Sequence, residues 1–178
     1  MMMTQMTIPD AIQRLAMDHL NARRTLNTLE RQVDALAQYQ NVDPEVIAAV
    51  LAFFDENDGH HSVEDMMYLT LRHRAPHIGD EIDAILDEHT MAAGKLAAFA
   101  ETARLLQRDV DTARHAFCRT ARTFISFERH HILQEESRFF RYALEYLTQD
   151  DWLKIDWGIR DADAQSHHGM PMMVLKSA

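Results

Sequence analysis

Two stretches of the chain place a histidine four residues before a glutamate: His60 precedes Glu64, and His131 precedes Glu135. On an α-helix, side chains four residues apart lie on the same face, with Cβ atoms about 5–6 Å apart. An imidazole and a carboxylate at this spacing can bind one metal ion, or one ion and its neighbour. The pattern therefore predicts a metal site to which two helices each contribute a histidine and a glutamate.

Two single histidines, His19 and His89, lie in other segments of the chain, far from both pairs. Each belongs to a stripe of apolar residues that recur at spacings of three and four, which is typical of an amphipathic helix. Four helical segments, each with its own candidate ligand, favour a metal centre inside a four-helix bundle.

The four helices that must position these ligands are predicted over about residues 10–40, 44–75, 80–107 and 111–147. Gly59 should bend or loosen the second helix just before His60, since glycine costs up to about 1 kcal/mol in a helix relative to alanine. Beyond Thr148 the pattern weakens. A short helix is predicted at 151–157, with Trp152, Ile155 and Trp157 covering one end of the bundle, and 160–178 is expected to be a tail of uncertain order.

The candidate ligands lie at similar depths in the predicted bundle. Counted to the turns that join them, the histidines of neighbouring helices differ by 5, 4 and 2 residues, which is at most about 8 Å at a rise of 1.5 Å per residue. We therefore expect the ligands to share one layer. The fold class is all-α, an up-down-up-down four-helix bundle in a single domain, with a core over about 10–147 and an extension over 148–178.

A lone histidine on an apolar face is more often a buried neutral imidazole than a metal ligand. The two glutamates change that balance, because a carboxylate in a protein core is unstable unless it is paired or bound to metal. Adjacent histidines leave two alternatives: His131 fits its stripe better than His130, and His60 fits slightly better than His61. His61 and Asp65 stay open as outer or additional ligands.

The other histidines, His73, His77, His115 and the pair 167–168, are expected at the surface. The net charge of −10 gives no basic footprint for nucleic acid or an anionic membrane. The sole cysteine, Cys118, excludes an internal disulfide and a thiolate zinc site, and it is expected in the core. With no secretory signal and no apolar run of about 20 residues, the sequence predicts a soluble, cytoplasmic protein.

Imidazole and carboxylate ligands suit iron, manganese or zinc, and the absence of thiolates argues against copper(I) and structural zinc. Six ligands exceed the four that one zinc ion takes. They fit two ions if both carboxylates bridge and if water, oxide or hydroxide completes the coordination. Open positions would then bind O₂, peroxide or NO. The apolar residues expected to keep such a site dry are Phe53, Met67, Leu96 and Phe124.

The run His-His-x-x-Glu-Asp at 60–65, Glu-His at 88–89, His-x-x-x-Glu-Glu at 131–136 and the early His19 together resemble the haemerythrin-like HHE cation-binding family. The resemblance covers about residues 10–147. It implies a bundle with a non-haem di-iron centre, oxo- or hydroxo-bridged, in which both glutamates bridge; manganese or zinc are alternatives. The implied ligands are His19, His60, Glu64, His89, His131 and Glu135.

The chain departs from haemerythrin proper on the third helix, where Ile85 and Ala93 stand one turn from His89 in place of a second histidine. The family's longer spacing between histidine and carboxylate on helix four is reproduced only by His130 with Glu135. The resemblance therefore supports reversible O₂ carriage less strongly than it would for haemerythrin proper. It points to relatives that sense or handle O₂, NO, peroxide or iron. Relatives that repair iron–sulfur clusters carry a cysteine-bearing N-terminal segment, which this sequence lacks.

The function expected from the sequence is a metal-binding protein that binds, senses or handles O₂, NO or peroxide, more a binding protein than a dedicated enzyme. The alternatives are an enzyme that turns over peroxide or NO, an iron storage or delivery protein, and a metal-free interaction bundle. Storage ranks lower because the Glu-x-x-His spacing typical of ferritin-like sites occurs only at Glu128 and His131. A homodimer and a separate redox or signalling partner both stay open.

Overall fold

A computed structural model describes residues 8–56 and 61–168, with no strand among them. The helices in chain order are α1 (Asp10–Ala37), α2 (Pro44–Glu56), α3 (His61–Arg74), α4 (Gly79–Arg108), α5 (Val110–Gln134), α6 (Phe140–Tyr146) and α7 (Gln149–His168). A short 3₁₀ turn, Pro76–Ile78, joins α3 to α4, and a π-helical turn, Glu135–Phe139, joins α5 to α6. The all-α prediction is confirmed. The predicted bend at Gly59 lies outside the described residues.

The first helix begins after Pro9 with Asp10 in its first turn, and it ends at Ala37 rather than at Gln40. It stops because Tyr39 takes a left-handed conformation, with φ of 59°. The Tyr39 and Gln40 amides then donate to the Leu36 and Ala35 carbonyls, which closes a Schellman-type end. Arg114 supports this turn by stacking on the Tyr39 ring and donating to the Leu36 carbonyl at 2.8 Å.

Helices α2 and α3 run antiparallel to α1. Helix α4 runs antiparallel to α2 and α3, and α5 and α6 run antiparallel to α4. The Asp43 carboxylate accepts from the Glu45 amide at the start of α2. Asp109 caps α5 by accepting from the amides of Asp111 and Thr112. Both caps lie where the sequence predicted a helix start, and α1 packs against α2 and α4 against α5 as antiparallel neighbours.

The C-terminal helix α7 is longer than the predicted segment 151–157, and it continues to His168 into the predicted tail. A capping box fixes its start: the Thr148 amide donates to the Asp151 carboxylate, and the Asp151 amide lies 3.3 Å from the Thr148 hydroxyl. Trp152 and Ile155 are buried as expected, but Trp157 is 74% exposed, so it does not cover the end of the bundle.

Buried apolar residues form two clusters at opposite ends of the bundle. The lower cluster joins the start of α1 to α3, α4, α6 and α7 and includes Leu15, Met67, Leu71, Ile82 and Phe139. The upper cluster joins the end of α1 to α2, α4 and α5 and includes Leu26, Val33, Phe99, Phe117 and Phe124. Between them, on α1, α3, α4 and α5, lies a layer of buried histidines and glutamates. No described helix is long and apolar enough to cross a bilayer.

Candidate metal centre

Four buried side chains from three parts of the bundle converge in the middle layer: Glu64 on α3, His89 on α4, and His131 and Glu135 at the end of α5. Each offers one ligand atom, and these atoms all lie within 4.8 Å of one another. His19 approaches from α1, with Nε2 3.0 Å from Glu135 Oε2 and 3.5 Å from Glu64 Oε1. The structure thus brings together five of the six sequence-predicted ligands. The sixth, His60, lies outside the described residues.

Glu135 lies at the centre of the cluster. Besides its contact with His19, its Oε1 atom is 3.6 Å from His89 Nε2 and 3.5 Å from His131 Nε2. Glu64 is also 3.7 Å from His89 Nε2. Each carboxylate therefore faces at least two imidazoles on different helices.

The three candidate ligand histidines that the structure describes each point Nε2 inward and contact an outer carboxylate through Nδ1. His19 Nδ1 is 3.1 Å from Glu136 Oε1, His89 Nδ1 is 2.7 Å from Asp65 Oδ1, and His131 Nδ1 is 2.9 Å from Glu88 Oε2. Donation from Nδ1–H to a carboxylate fixes the tautomer in which Nε2 carries a lone pair, as is usual for metal-binding histidines. The imidazoles are thus oriented as ligands.

The outer carboxylates are themselves held in place. Arg23 forms a two-pronged ion pair with Glu136, at 2.9 and 2.6 Å. Gln134 donates to Glu88 at 3.1 Å. On the inner carboxylate, the buried Tyr68 hydroxyl donates to Glu135 Oε1 at 2.6 Å. The orientation of each histidine therefore depends on a further set of polar contacts between helices.

A π-helical turn begins at Glu135, the first of two consecutive glutamates that contact different atoms of His19. The Phe140 amide donates to the Glu135 carbonyl, five residues earlier, so the helix is locally wider than an α-helix. Glu135 is buried among the Nε2 atoms, and the half-buried Glu136 reaches Nδ1 of His19. The sequence predicted an uninterrupted α-helix to Leu147, and the structure corrects this.

The buried charges shift one another's protonation. Burial lowers the pKa of His19, but hydrogen bonding and the charges of Glu135 and Glu64 outweigh it and raise that pKa to about 10. For His89 the same opposing effects raise the pKa to about 9. Burial, followed by the charge of Glu135, raises the pKa of Glu64 to about 7. Burial also disfavours ionised Glu135, but the hydrogen-bonded histidines outweigh it and lower its pKa. The layer therefore holds protons at neutral pH unless another cation replaces them.

The ligand set fits a metal cation in both chemistry and dimensions. Metal–ligand bonds of about 2.0–2.2 Å place neighbouring ligand atoms roughly 3.0–3.4 Å apart. The inward nitrogens and carboxylate oxygens lie 3.0 to 3.7 Å apart. Cys118 is not a competing ligand, because it lies in the upper cluster with Sγ 3.8 Å from the Val33 carbonyl oxygen.

A cavity of about 370 Å³ adjoins the centre, with His19, Glu64, His131 and Glu135 in its lining. Its other walls come from α1, α2, α4 and α5 and are largely apolar, as in Phe53, Ala92, Leu96, Ala97 and Phe124. Three of the four predicted apolar neighbours of the site line it. Met67 instead is buried in the lower cluster.

Sequence reasoning missed several polar residues of the site. Asp65 was kept open as an outer ligand, and the structure shows it on His89. Glu88 and Glu136 were part of the quoted motifs but had no assigned role. Tyr68 had a detectable signal, since it follows Glu64 by four residues on the same face of α3.

The predicted choice between adjacent histidines on α5 agrees with burial: His131 is buried and His130 is exposed. His73, His77 and His115 are exposed, as predicted, and Cys118 is buried. The side chain of His61 is not among those described. The ligand set itself stays a prediction.

Residues 10–143 match the model of a family described as the Hemerythrin HHE cation binding domain. The match covers more than half of the 178 residues and includes all of the candidate ligands. Comparison with curated proteins and with solved structures gave no match.

Proposed function

Because the chain belongs to the hemerythrin HHE cation-binding domain family and carries a buried His/Glu cluster that could hold a metal ion, we propose that it is a di-iron protein that binds, senses or handles O₂, NO or peroxide. The proposed ligands are His19, His60, Glu64, His89, His131 and Glu135. Manganese or zinc are the alternative metals.

The observation that carries this proposal is the common orientation of three imidazoles. Each of His19, His89 and His131 directs Nε2 to the buried Glu64–Glu135 pair and Nδ1 to a separate outer carboxylate. A purely structural histidine needs one good partner. Three that share this two-sided arrangement support a centre built for cations.

Two ions, rather than one, agree with the number of ligand atoms. Glu64 and Glu135 offer four oxygens, and the described histidines offer three nitrogens. One ion of ordinary coordination number cannot use all seven. Each carboxylate already faces imidazoles from two helices, as a bridging group must.

Iron bound at such a site supplies the redox and ligand-binding chemistry for O₂, NO or peroxide. The protein orients the ligands and limits the entry of water. The outer carboxylates fix the histidine tautomers, Tyr68 donates to Glu135, and Phe53, Leu96 and Phe124 form apolar walls beside the cluster. Such a dry, oriented environment tunes both metal affinity and redox potential.

Metal analysis of the purified protein tests the proposal. We expect about two iron ions per chain and a visible absorption spectrum that changes on exposure to air. His131→Ala should lose most of the metal, whereas the matched His130→Ala variant should retain it, because His130 is exposed. Metal content that is unchanged in His131→Ala, in a variant whose helical circular dichroism is intact, would overturn the proposed site.

Stopped-flow mixing of the reduced protein with O₂ separates the binding protein from the enzyme. A stable spectrum that reverses when O₂ is removed supports a binding or sensing role. Catalytic consumption of peroxide or NO supports an enzyme. Uptake of iron well beyond two ions per chain would instead support storage.

A further inference from the structure

The cavity beside the metal centre is much larger than a diatomic ligand needs. A water molecule takes about 30 Å³ of liquid volume, and an apolar cavity of about 150 Å³ is enough to bind benzene. The cavity here measures about 370 Å³, which lies in the range of pockets for small organic molecules. Its volume therefore leaves room for an occupant larger than O₂ or NO.

Small side chains on one helix create this space. Ala92, Ala93, Ala97 and Ala100 of α4 line the cavity together with Ala22 of α1. Phe53, Phe54, Leu96 and Phe124 form the facing apolar walls. Three of these rings pack edge to face, Phe54 with Phe53 at 5.1 Å and with Phe124 at 4.9 Å between centroids. The walls thus suit a flat or short apolar body.

One buried polar group in the lining has no use in the metal centre described above. Glu128, one turn before His131 on α5, is only 8% exposed and lines the cavity. Among the described residues, no side chain or backbone group hydrogen-bonds to its carboxylate or forms an ion pair with it. The carboxylate lies in the cavity lining without a partner in the described part of the protein, so it can accept a hydrogen bond from a ligand that supplies a donor.

We propose that the cavity binds a small organic molecule with an apolar body about the size of one aromatic ring and a hydroxyl group that donates to Glu128. The ligand would lie between the α4 alanines and the phenylalanine walls, beside the inner glutamates. The protein would then bind an organic molecule in addition to O₂, NO or peroxide. This binding depends on the cavity and Glu128 rather than on which metal is bound.

Benzyl alcohol and toluene are the probes, because they share a ring and differ in the hydroxyl group. Calorimetry on the protein as purified should show saturable binding of benzyl alcohol at millimolar or lower concentration. Ala97→Trp places a bulky side chain in the cavity lining and should weaken binding at least tenfold. Ala98→Trp, at the adjacent exposed position outside the lining, should change it less than twofold.

Glu128→Leu tests the polar contact. The substitution should weaken the binding of benzyl alcohol about tenfold or more. It should change the affinity for toluene by less than about twofold, because only the alcohol donates a hydrogen bond. Equal losses for both probes would overturn the role of Glu128. Absence of saturable binding, or equal effects of Ala97→Trp and Ala98→Trp, would overturn the site and leave the cavity as a passage for diatomic ligands.

A second readout keeps this inference separate from the proposed function. Protein-bound iron should broaden the NMR resonances of the bound probe, because the cavity is lined by proposed iron ligands. Calorimetric binding without broadening would support the organic site and count against iron in the cluster. Bound iron with no binding of the probe would support the proposed metal centre and count against the organic site.

Discussion

Asp65 Oδ1 lies 2.7 Å from His89 Nδ1, and the two residues come from different helices, α3 and α4. The same α3 helix presents Glu64 to Nε2 of His89, at 3.7 Å. Consecutive acidic residues therefore hold the two nitrogens of one imidazole. This arrangement makes the outer carboxylate a testable part of the centre.

Asp65→Asn should lower metal affinity by about 10–100-fold, as expected when an outer partner of a ligating histidine is lost. The amide is a weaker acceptor than the carboxylate and no longer favours the Nδ1–H tautomer of His89. Competition with a chelator measures the affinity. Asp87→Asn, an exposed position on α4, is the control; an equal loss in both variants would assign the effect to net charge alone.

Tyr68→Phe should lower the free energy of unfolding by about 1–3 kcal/mol, because it removes the donor to the buried Glu135 carboxylate. It should also shift the visible spectrum of the loaded protein. Chemical denaturation and absorption spectroscopy measure the two effects. Tyr142→Phe is the matched control, since among the described residues the Tyr142 hydroxyl makes no hydrogen bond. If both variants behave alike, the contact with Glu135 is not stabilising.

Metal-free protein should become less stable as pH rises from about 6.5 to about 10. The folded-state pKa values of His19 and His89, about 10 and about 9, exceed the ordinary 6.5. The stability that protonated His19 and His89 contribute to the folded protein is therefore fully present below pH 6.5. It is lost as pH rises and these groups deprotonate in the folded state. The slope should approach roughly 1.4 kcal/mol per pH unit for each extra proton held.

Urea unfolding of chelator-treated protein at pH 6.5, 8 and 9.5 measures this slope. His19→Gln should flatten it, whereas His115→Gln, at an exposed position on α5, should not. A stability that rises over the same interval would contradict the assigned protonation of the layer.

Metal binding at pH 7.5 should release protons, because the same histidines must lose them to act as ligands. Calorimetric titration with Fe²⁺ or Zn²⁺ in two buffers of different ionisation enthalpy gives the number released. We expect about two per chain for the wild type and fewer for His19→Gln. No dependence on the buffer would show that the histidines are already neutral.

Asp151→Ala should lower the free energy of unfolding by about 1–3 kcal/mol. The carboxylate caps α7 through the Thr148 amide and also pairs with Arg74 of α3, at 2.8 and 2.9 Å. Denaturation of Asp151→Ala and Asp150→Ala compares a buried cap with its exposed neighbour. A loss of similar size in both would show that α7 is not held by this cap.

Apolar periodicity predicted the depth of His19, His89 and His131 correctly because these residues lie on the same buried stripes as their apolar neighbours. It could not assign Glu136 to His19, or Glu88 to His131, because those contacts join residues 117 and 43 positions apart. Which outer carboxylate meets which imidazole depends on how the helices are rotated against one another.

The π-helical turn at Glu135 and the length of α7 escaped prediction for different reasons. A π-helical turn adds about one residue to a helical turn, so the buried residues after Glu135, namely Phe139, Phe140 and Ala143, are offset from the regular α-helical spacing that was used for prediction. Beyond Trp157 the apolar pattern fades, so periodicity no longer predicts a helix there. The sequence from 158 to 168 contains no proline, and the backbone stays helical there.

The polar layer between the upper and lower clusters divides the hydrophobic interior into two separate cores. Each core is formed by residues of several helices, so metal ions bound in the layer between them would link the two cores. When the ions leave, amide exchange should rise first near the middle of α1 and α4, around His19 and His89, while both ends stay protected.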